Sequence, residues 1–264
     1  MNLTITTLGT SHGDPTRERF NASTLVEMPD CSLLIDCGTP ALAQLRRCGK
    51  DLRRIRHLVI THMHEDHFGG LPDLLKYQSK RMPADYQLTI WLPEAEAEKP
   101  IRDFYALAHR PLLPGIQFHL IQPGILPVAE NFTLEALPTD HFSNEGLAYP
   151  SYALLLTIQN KRLLFTGDLS RDFHDFPKNI PADLAFCELT HYDLEKALPT
   201  LASQSFGKLV FTHVGDEWHG KENESRWQSL ASRLPYPTHL AHDLEQFLMT
   251  PPSSKTPCIR GKIA

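Results

Sequence analysis

Alternation of apolar and polar residues marks the first part of the chain. Residues 3–8 alternate apolar side chains with threonine and predict a strand that ends at Gly9. Two short strand patterns, residues 23–28 and 32–35, flank a turn at Pro29-Asp30 and predict a hairpin. Helical periodicity is found over residues 40–48, before Gly49, and over residues 71–80.

Strand and helix patterns alternate through the rest of the chain. Strands are expected over residues 58–60, 88–92, 116–121, 132–137, 151–158, 162–165, 184–187 and 209–211, and helices over 94–109, 194–203 and 220–234. No linker or low-complexity tract divides the sequence, so residues 1–250 are expected to form one α/β domain of two mixed sheets between helices. The tail, residues 251–264, is rich in proline, serine and lysine and is expected to be loosely ordered.

Composition is that of an ordinary globular protein. Hydrophobic residues make up 41% and charged residues 22% of the 264 residues. The formal net charge of -5 argues against a protein that holds long nucleic acid by electrostatic attraction. No stretch approaches the roughly 20 apolar residues that span a bilayer, and the N-terminus lacks the pattern of a secretory signal. No membrane association is therefore expected.

The cysteines and histidines differ in what they indicate. The five cysteines are scattered without CxxC pairing, which predicts free thiols and a reducing, cytoplasmic location. The 14 histidines are unusually many, so their positions along the chain must decide which of them carry chemistry.

One histidine-rich segment follows the predicted strand at residues 58–60. It offers four candidate ligands within six positions: His62, His64, Asp66 and His67. Imidazole and carboxylate together suit Zn²⁺, Mn²⁺ or iron, whereas a structural zinc site would be expected to use thiolates. A histidine-rich surface loop is the alternative, but such clusters usually mark metal binding or catalysis. Gly69-Gly70 is expected to permit backbone conformations that other residues resist.

With this motif the sequence resembles the metallo-β-lactamase superfamily, and the resemblance covers nearly the whole chain. The accompanying motifs follow in the family's order: Leu8-Gly9-Thr10, Leu34-Ile35-Asp36-Cys37-Gly38, Pro138-Thr139-Asp140-His141, Phe165-Thr166-Gly167-Asp168 and Leu240-Ala241-His242-Asp243. The fold implied by the resemblance is a four-layer αβ/βα sandwich of two mixed β-sheets flanked by helices. Its metals would lie at the edge between the two sheets.

The resemblance also implies a ligand set for two divalent metal ions, with zinc expected first and manganese or iron as alternatives. One metal would be held by His62, His64 and His141. The other would be held by Asp66, His67 and His242, and Asp168 would bridge the two. His119 competes with His141, and His239 competes with His242, but neither competitor shares the family's sequence setting.

Catalytic roles are predicted for Asp66 and His213. Asp66, held by metal, could shuttle a proton. His213 follows the predicted strand 209–211 and could act as a general acid or contact phosphate, or it could be a strand-end residue without a function. Asp36 could orient a ligand histidine or only form a turn. Further residues that could contact substrate or line the pocket are His12, Glu188 and His191.

Two metals at such a site would activate water for hydrolysis, and this chemistry fits phosphodiesters, thioesters, lactones and β-lactams. The oxygen-reducing di-iron members of the superfamily resemble one another in using glutamate where this chain has His64, so the resemblance favours hydrolysis. Because no secretory signal is expected, a secreted antibiotic-degrading enzyme is disfavoured.

The turn at Leu8-Gly9-Thr10, with Arg17 and Arg19, resembles the ribonuclease Z branch. That branch includes tRNA 3′-processing nucleases and cyclic-phosphate phosphodiesterases. The tRNA nucleases resemble one another in a long tRNA-gripping insertion, but here the corresponding interval, from His141 to Asp168, is 27 positions. A small or cyclic phosphodiester is therefore the expected substrate.

Other identities stay open. Thioester or lactone hydrolysis and tRNA 3′ processing are the alternative functions, and a homodimer is conceivable. The cyclic-phosphate phosphodiesterases also look as if they carry a cysteine-rich zinc site near the N-terminus, whereas this chain has no cysteine before Cys31.

Overall fold

The structure is a computed structural model, and it describes residues 3–109, 111–128 and 131–249. The strands in these ranges are β1 (Leu3–Gly9), β2 (Ser23–Glu27), β3 (Ser32–Ile35), β4 (Ile55–Val59), β5 (Leu88–Leu92), β6 (Ile116–Leu120), β7 (Gly124–Ile125), β8 (Thr133–Thr139), β9 (Ser151–Ile158), β10 (Lys161–Phe165), β11 (Leu184–Leu189), β12 (Leu209–Val214), β13 (Thr238–Leu240) and β14 (Gln246–Met249). The α-helices are α1 (Ala41–Arg47), α2 (Glu65–Phe68), α3 (Leu71–Arg81), α4 (Glu98–Leu107), α5 (Leu194–Ala202) and α6 (Lys221–Ala231). The predicted loose tail, residues 251–264, lies outside the described residues.

Within the described residues the strands form two seven-stranded sheets. Their orders are β14-β1-β2-β3-β4-β5-β6 and β13-β12-β11-β10-β9-β8-β7. Each sheet combines antiparallel hairpins with a parallel half, β3 to β6 in the first sheet and β10 to β13 in the second. Parallel neighbours need crossover connections, and helices in these connections cover the outer faces of the sheets. The predicted pair of mixed sheets is confirmed.

Strand residues alternate between two apolar layers because successive side chains point to opposite faces of a sheet. In β10, Leu163 and Phe165 pack between the two sheets, whereas Leu164 packs under the helices. In β3, Leu33 faces the other sheet and Leu34 faces α1 and α3. The apolar residues thus form one layer between the sheets and one beneath the helices on each side, as the four-layer sandwich requires.

Most sequence-based elements agree with the structure, but short and terminal ones were missed. β9 and β10 join through Gln159-Asn160, whose φ angles of 49° and 64° suit a tight hairpin. Sequence patterns missed β7, β13 and β14, which have two, three and four residues. β14 also pairs with β1, its partner at the other end of the chain, and no local pattern reports such a contact.

The cysteines and helices bear on two further expectations from the sequence. Cys37, Cys48 and Cys187 are free thiols, and Cys258 lies outside the described residues. In the described part of the chain, every helix is too short or too polar to cross a membrane.

Gly70 is required for space rather than for an unusual backbone angle, contrary to the expectation from sequence. Its φ is −83°, which any residue adopts. A Cβ atom there would lie 2.5 Å from the carbonyl oxygen of Gly38 and 2.8 Å from that of Cys37. The segment after the histidine motif therefore packs directly against the backbone that follows β3.

Replacing Gly70 with alanine is expected to lower the free energy of unfolding by about 1–3 kcal/mol, because the new methyl group overlaps backbone atoms. Denaturant unfolding of the purified variant measures this change. Gly13→Ala is the matched control, since a Cβ at Gly13 meets no atom within 4 Å among the described residues. Equal stability of the two variants would contradict the packing argument.

Candidate metal centre

Side chains from both sheets meet at the carboxyl ends of their strands. His62 follows β4, His141 follows β8 and Asp168 follows β10, while Glu188 and His213 lie near the ends of β11 and β12. The carboxyl ends of parallel strands lie along one edge of a sheet, where ligand sites are commonly built. The topology therefore brings together residues that are far apart in sequence.

The histidine motif folds as a turn followed by the short helix α2. His62 and His64 lie in the turn. His64 is the N-cap residue of α2 and has extended backbone angles. Asp66 and His67 are buried within α2. The motif thus presents its side chains from two different backbone conformations, so that they face a common centre.

His62, His64 and His141 form the first group. The Nδ1 atom of His64 lies 3.2 Å from Nε2 of His62 and 3.0 Å from Nε2 of His141. Ring nitrogens in such close contact must share protons or surround a cation. Their three atoms lie close enough to hold one metal ion.

Asp66, His67 and His213 form the second group. His213 Nε2 lies 3.1 Å from Asp66 Oδ2 and 3.3 Å from His67 Nε2. All three side chains are buried, and their ligand atoms could also hold one ion. An imidazole–carboxylate donor set of this kind suits a divalent metal.

Asp168 lies between the two groups. Its Oδ2 atom approaches five histidine ring nitrogens, at 3.4 Å from His67, 3.4 Å from His213, 3.7 Å from His62, 3.8 Å from His191 and 4.0 Å from His141. Its Oδ1 atom is buried and has no hydrogen-bond partner among the described residues. A buried carboxylate oxygen without a partner is costly, and a metal ion would satisfy it. The residues present therefore fit divalent metal ions.

The structure does not bring His242 into this centre. His242 follows β13, an edge strand, and is exposed. Its Nδ1 atom lies 3.4 Å from Nη2 of Arg19, and its backbone N–H donates to Glu245 Oε2 at 3.0 Å. Thr7 Oγ1 donates to its carbonyl oxygen at 2.7 Å, which holds the segment against β1. The position that the sequence assigned to His242 is occupied by His213.

A sequence signal for His213 existed. His213 comes after the apolar residues that begin β12, just as His62 and His141 follow their strands. However, the strand continues to Val214, and His213 has a φ of 48° beside a register shift between β11 and β12. This irregularity turns the ring toward Asp66 and His67 in the candidate metal centre, and periodicity cannot reveal it.

Each buried histidine of the centre has a partner for its outer ring nitrogen. These contacts to the Nδ1 atoms are Asp36 Oδ2 to His67 at 2.8 Å, Thr61 Oγ1 to His62 at 3.2 Å, Leu169 O to His141 at 3.3 Å and Thr190 Oγ1 to His213 at 3.3 Å. Such partners fix the orientation of a ligand ring and leave the inner nitrogen free to bind metal.

Asp36 is the strongest of these partners. It is buried, and its Oδ1 atom accepts a hydrogen bond from the Thr61 backbone N–H at 2.7 Å. The same side chain therefore holds both the start of the motif and the ring of His67. Of the two roles that the sequence left open for Asp36, the geometry matches the orienting role.

Asp36→Asn is expected to weaken metal affinity about 10- to 100-fold, because the amide group binds imidazole less strongly than a carboxylate does. Competition with a chromogenic chelator measures the affinity. Asp73→Asn is the matched control, since Asp73 is exposed and pairs only with Lys76 in the described contacts. Unchanged affinity in the Asp36 variant would show that the contact does not support the ligand.

Charges within the centre are strongly coupled. Burial alone would raise the pKa of Asp168, but the neighbouring His213 and His67 hold it well below its usual range. The pKa of Asp66 is lowered in the same way, against the effect of burial, by His67 and His213. Burial and the charge of His67 lower the pKa of His62, which keeps its ring neutral. The ionised carboxylates and the neutral ring of His62 suit metal binding, whereas Asp168, Asp66 and Asp36 raise the pKa of His67 well above its usual range against the effect of burial.

Glu188 and His191 lie beside these groups. Glu188 is buried in β11, and its carboxylate accepts hydrogen bonds from the backbone N–H groups of Leu169 at 2.8 Å and His191 at 3.0 Å. It also lies 3.0 Å from Nδ1 of His191, and it raises the pKa of His191 to about 9 against the effect of burial. Glu188 therefore ties together the loops that carry Asp168 and His191. A carboxylate in an otherwise apolar strand was the sequence signal for it.

His12 lies outside the two groups. Its Nε2 atom is 3.0 Å from Oδ1 of Asp216, on the segment that follows β12. The two histidines that compete with His141 and His242 in the sequence also lie elsewhere. His119 packs against Trp91, and Nε2 of His239 lies 2.8 Å from Glu245. The choice of His141 over His119 therefore agrees with the geometry.

Known proteins share this fold and parts of this sequence. The profile of the family described as anti-Pycsar protein Apyc1 matches residues 3–234. A ribonuclease Z from Bradyrhizobium diazoefficiens is 32% identical over 147 residues, which are 55% of this chain and 48% of that protein. The chain thus spans about half the length of the curated relatives it matches.

Solved structures give the same fold over almost the whole chain. The metallo-β-lactamase fold protein YhfI from Bacillus subtilis has a TM-score of 0.75 and 20% identity, covering 94% of this chain and 100% of that one. The short form of human tRNase Z has a TM-score of 0.67 and 20% identity, covering 92% and 98%. The metallo-β-lactamase fold predicted from the sequence is therefore confirmed.

Proposed function

The chain belongs to the family of the anti-Pycsar protein Apyc1, and from this premise we propose that it is a binuclear metal-dependent phosphodiesterase acting on a small or cyclic phosphodiester. The observation that carries the proposal is the position of Asp168, whose carboxylate lies between two triads of candidate ligands. A single buried carboxylate shared by two donor groups is the arrangement expected of a two-metal hydrolase.

Two divalent ions would be held by the two groups described above. We assign His62, His64 and His141 to one ion, Asp66, His67 and His213 to the other, and Asp168 to both. Zinc is the first choice, and manganese and iron are the alternatives, because all three accept imidazole and carboxylate ligands. When bound, the metals would supply Lewis-acid polarisation of the phosphate group and activation of water.

The chain's own residues supply positioning and proton handling. The outer hydrogen bonds from Asp36, Thr61 and Thr190 hold the ligand rings, so little reorganisation is needed when substrate binds. Asp66 is kept ionised by His67 and His213, which suits a metal ligand, and the proton-shuttle role expected for its carboxylate is part of this proposal. His213 is assigned here to metal binding rather than to general acid catalysis, because it contacts Asp66 and His67.

Two observations favour a small phosphodiester over a long RNA. The interval between His141 and Asp168 is filled by a 3₁₀ turn over His141–Glu145 and the β9–β10 hairpin. It therefore has no room for a long insertion that could grip RNA. The formal net charge of -5 would repel a polyanion.

We also propose that the protein works in the cytoplasm and that it forms a homodimer.

Processing of tRNA 3′ ends is the second candidate. The 32% identity with a ribonuclease Z favours it, since that protein acts by name on RNA. Because the alignment covers 48% of that relative, the activity of the whole relative is not carried over.

Parallel assays separate these activities. Metal-loaded protein is given a chromogenic phosphodiester, a 3′,5′-cyclic nucleotide, a precursor tRNA and a thioester, and initial rates are compared at equal enzyme concentration. Turnover of the first two is expected, with little cleavage of precursor tRNA. Cleavage of precursor tRNA at the highest kcat/KM would favour the second candidate, and turnover of the thioester alone would contradict both.

A further inference from the structure

A buried arginine and an aspartate join the two ends of the chain near the end of β12. Arg19 lies on the loop between β1 and β2 and is 3% exposed, and Asp243 follows β13. Both belong to segments that resemble motifs of the family, but neither has a role in the proposed function. A buried charge needs hydrogen-bond partners, and the partners of Arg19 and Asp243 converge on one residue, Thr10.

Thr10 is held through both its main chain and its side chain. Its backbone N–H and its Oγ1 donate to Asp243 Oδ1 at 2.9 and 2.7 Å. Arg19 Nη1 donates to the same Oγ1 at 2.6 Å and also to the carbonyl oxygen of Ala241. Asp243 Oδ2 accepts from the N–H of Phe20 at 2.8 Å, so both carboxylate oxygens are occupied. Thr10, Arg19 and Asp243, called here the Thr10 network, therefore fix a fully buried residue.

Thr10 pairs with β12 at the point where β13 no longer does. β13 accompanies β12 up to Phe211, whose carbonyl oxygen accepts the N–H of Ala241 at 2.8 Å. Farther along β12, the N–H of Val214 donates to the carbonyl oxygen of Thr10, also at 2.8 Å, and Ser11 forms a parallel bridge with Val214. Thr10 directly follows β1 of the first sheet, so a residue of one sheet supports the end of a strand in the other.

The supported peptide group sets the backbone of the candidate ligand His213. The φ of 48° at His213 lies in the left-handed region, which a residue with a side chain adopts only where its surroundings hold it. The peptide group between His213 and Val214 is held at both ends. Its carbonyl oxygen accepts a hydrogen bond from Thr190 Oγ1, and its N–H donates to Thr10. The direction of the His213 ring therefore depends on Thr10.

We propose that Asp243 and Arg19 are positioning residues of the metal centre, which orient the His213 ring through Thr10 and the His213–Val214 peptide group. The proposal rests on the proposed assignment of His213 as a metal ligand. It gives the segment Leu240-Ala241-His242-Asp243 a role at the centre that belongs to its aspartate and not to its histidine. Residues that orient a ligand from outside commonly change metal affinity when they are replaced.

Asp243→Ala removes the acceptor of the bonds from Thr10 and Phe20, and zinc affinity is the readout. Competition with a chromogenic chelator gives the two stepwise affinities. One of them is expected to fall about tenfold, because the His213 ring is no longer held toward its ion, and the other should change less than about twofold.

Asp183→Ala is the matched control for a loss of stability alone. Asp183 is half-buried and accepts the N–H of Arg162 at 2.9 Å, but it lies before β11, at the opposite end of the strand from the centre. This variant should change neither zinc affinity. A similar loss of affinity in both variants would overturn the positioning role.

The His213→Ala background shows whether the effect passes through His213. There Asp243→Ala should cause no further loss of affinity, because the ring that it positions is absent. The same tenfold loss in this background would show that Asp243 acts on the centre by another route. Unchanged zinc affinities of Asp243→Ala in the otherwise unsubstituted protein would equally overturn the proposal.

Thr10→Val provides a second test that also serves if Asp243→Ala does not fold. It keeps the shape of the side chain but lacks the hydroxyl group that contacts Asp243 and Arg19. The same zinc affinity should fall about threefold to fivefold, since the backbone bond to Asp243 remains, and Thr10→Ser should restore it. Equal affinities in all three proteins would overturn the role of the Thr10 network and leave the proposed function intact. An unsubstituted protein that binds no zinc would overturn both proposals.

Discussion

Asp168→Asn is expected to reduce kcat/KM by at least about a thousandfold, since several kcal/mol of transition-state stabilisation depend on the metals that this side chain is proposed to hold. The carboxylate lies close to ligands of both triads, within 3.4 Å of His67 and His213 and within 4.0 Å of His141. Asparagine has the same shape but lacks the charge, so the two metal positions should lose their common anion. Activity on a chromogenic phosphodiester measures the effect.

Asp172→Asn is the control for this variant. Asp172 follows on the same segment, but its side chain is 74% exposed and contacts His174 and Ser170 rather than the centre. It should keep nearly full activity. Retention of more than about a tenth of the activity by Asp168→Asn would remove Asp168 from its proposed role.

His213→Ala is the second substitution with a large expected effect, and His242→Ala is its natural comparison. The structure places His213 against Asp66 and His67 and leaves His242 exposed beside Arg19. Loss of a metal ligand in a buried site should lower kcat/KM about a hundredfold or more, and it should also reduce metal content. His242→Ala should stay within about threefold of the unsubstituted protein, as exposed positions usually do.

Metal content and kinetics of the two variants are measured together. A large loss in His242→Ala with little change in His213→Ala would restore the assignment made from sequence and contradict the geometry. If both variants lose metal, His242 acts on the centre through Arg19 or the segment around Thr7, and the exchange of roles described here is wrong.

Local motifs explain why most of the centre could be predicted. His62, His64, Asp66 and His67 lie within one turn and one short helix, so their spacing alone indicates a shared site. His141 and Asp168 each follow a recognisable strand. The two strands, β8 and β10, run in the same direction, so their carboxyl ends lie at the same edge of the sheet. These residues needed only periodicity and the resemblance to a known family.

The candidate ligand that the sequence did not place in the metal centre, His213, owes its position to an irregularity. His213 is turned toward the centre by a positive φ and a register shift, and both features arise from tertiary contacts. By contrast, His242 has the expected neighbours in sequence, but β13 is one strand farther out than β12. Sequence context could identify the candidates, but it could not measure how far each strand lies from the site.

Long-range pairing limited the prediction of the fold in a similar way. β14 joins β1 across almost the whole chain, with Met249 opposite Leu3. The space requirement of Gly70 likewise comes from Gly38, which lies 32 positions earlier in sequence. The sequence shows that position 70 is a glycine. That a Cβ atom would not fit there becomes evident only from the contact between the two backbone segments.

Metal content per chain is the measurement that tests the account most directly. Protein purified without chelators, loaded with zinc and freed of unbound metal by gel filtration, should contain about two metal ions per chain by elemental analysis. Removal of these ions by a chelator should abolish phosphodiester hydrolysis, and zinc or manganese should restore it. Fewer than about one ion per chain, or full activity after exhaustive chelation, would contradict the two-metal centre on which the proposed function depends.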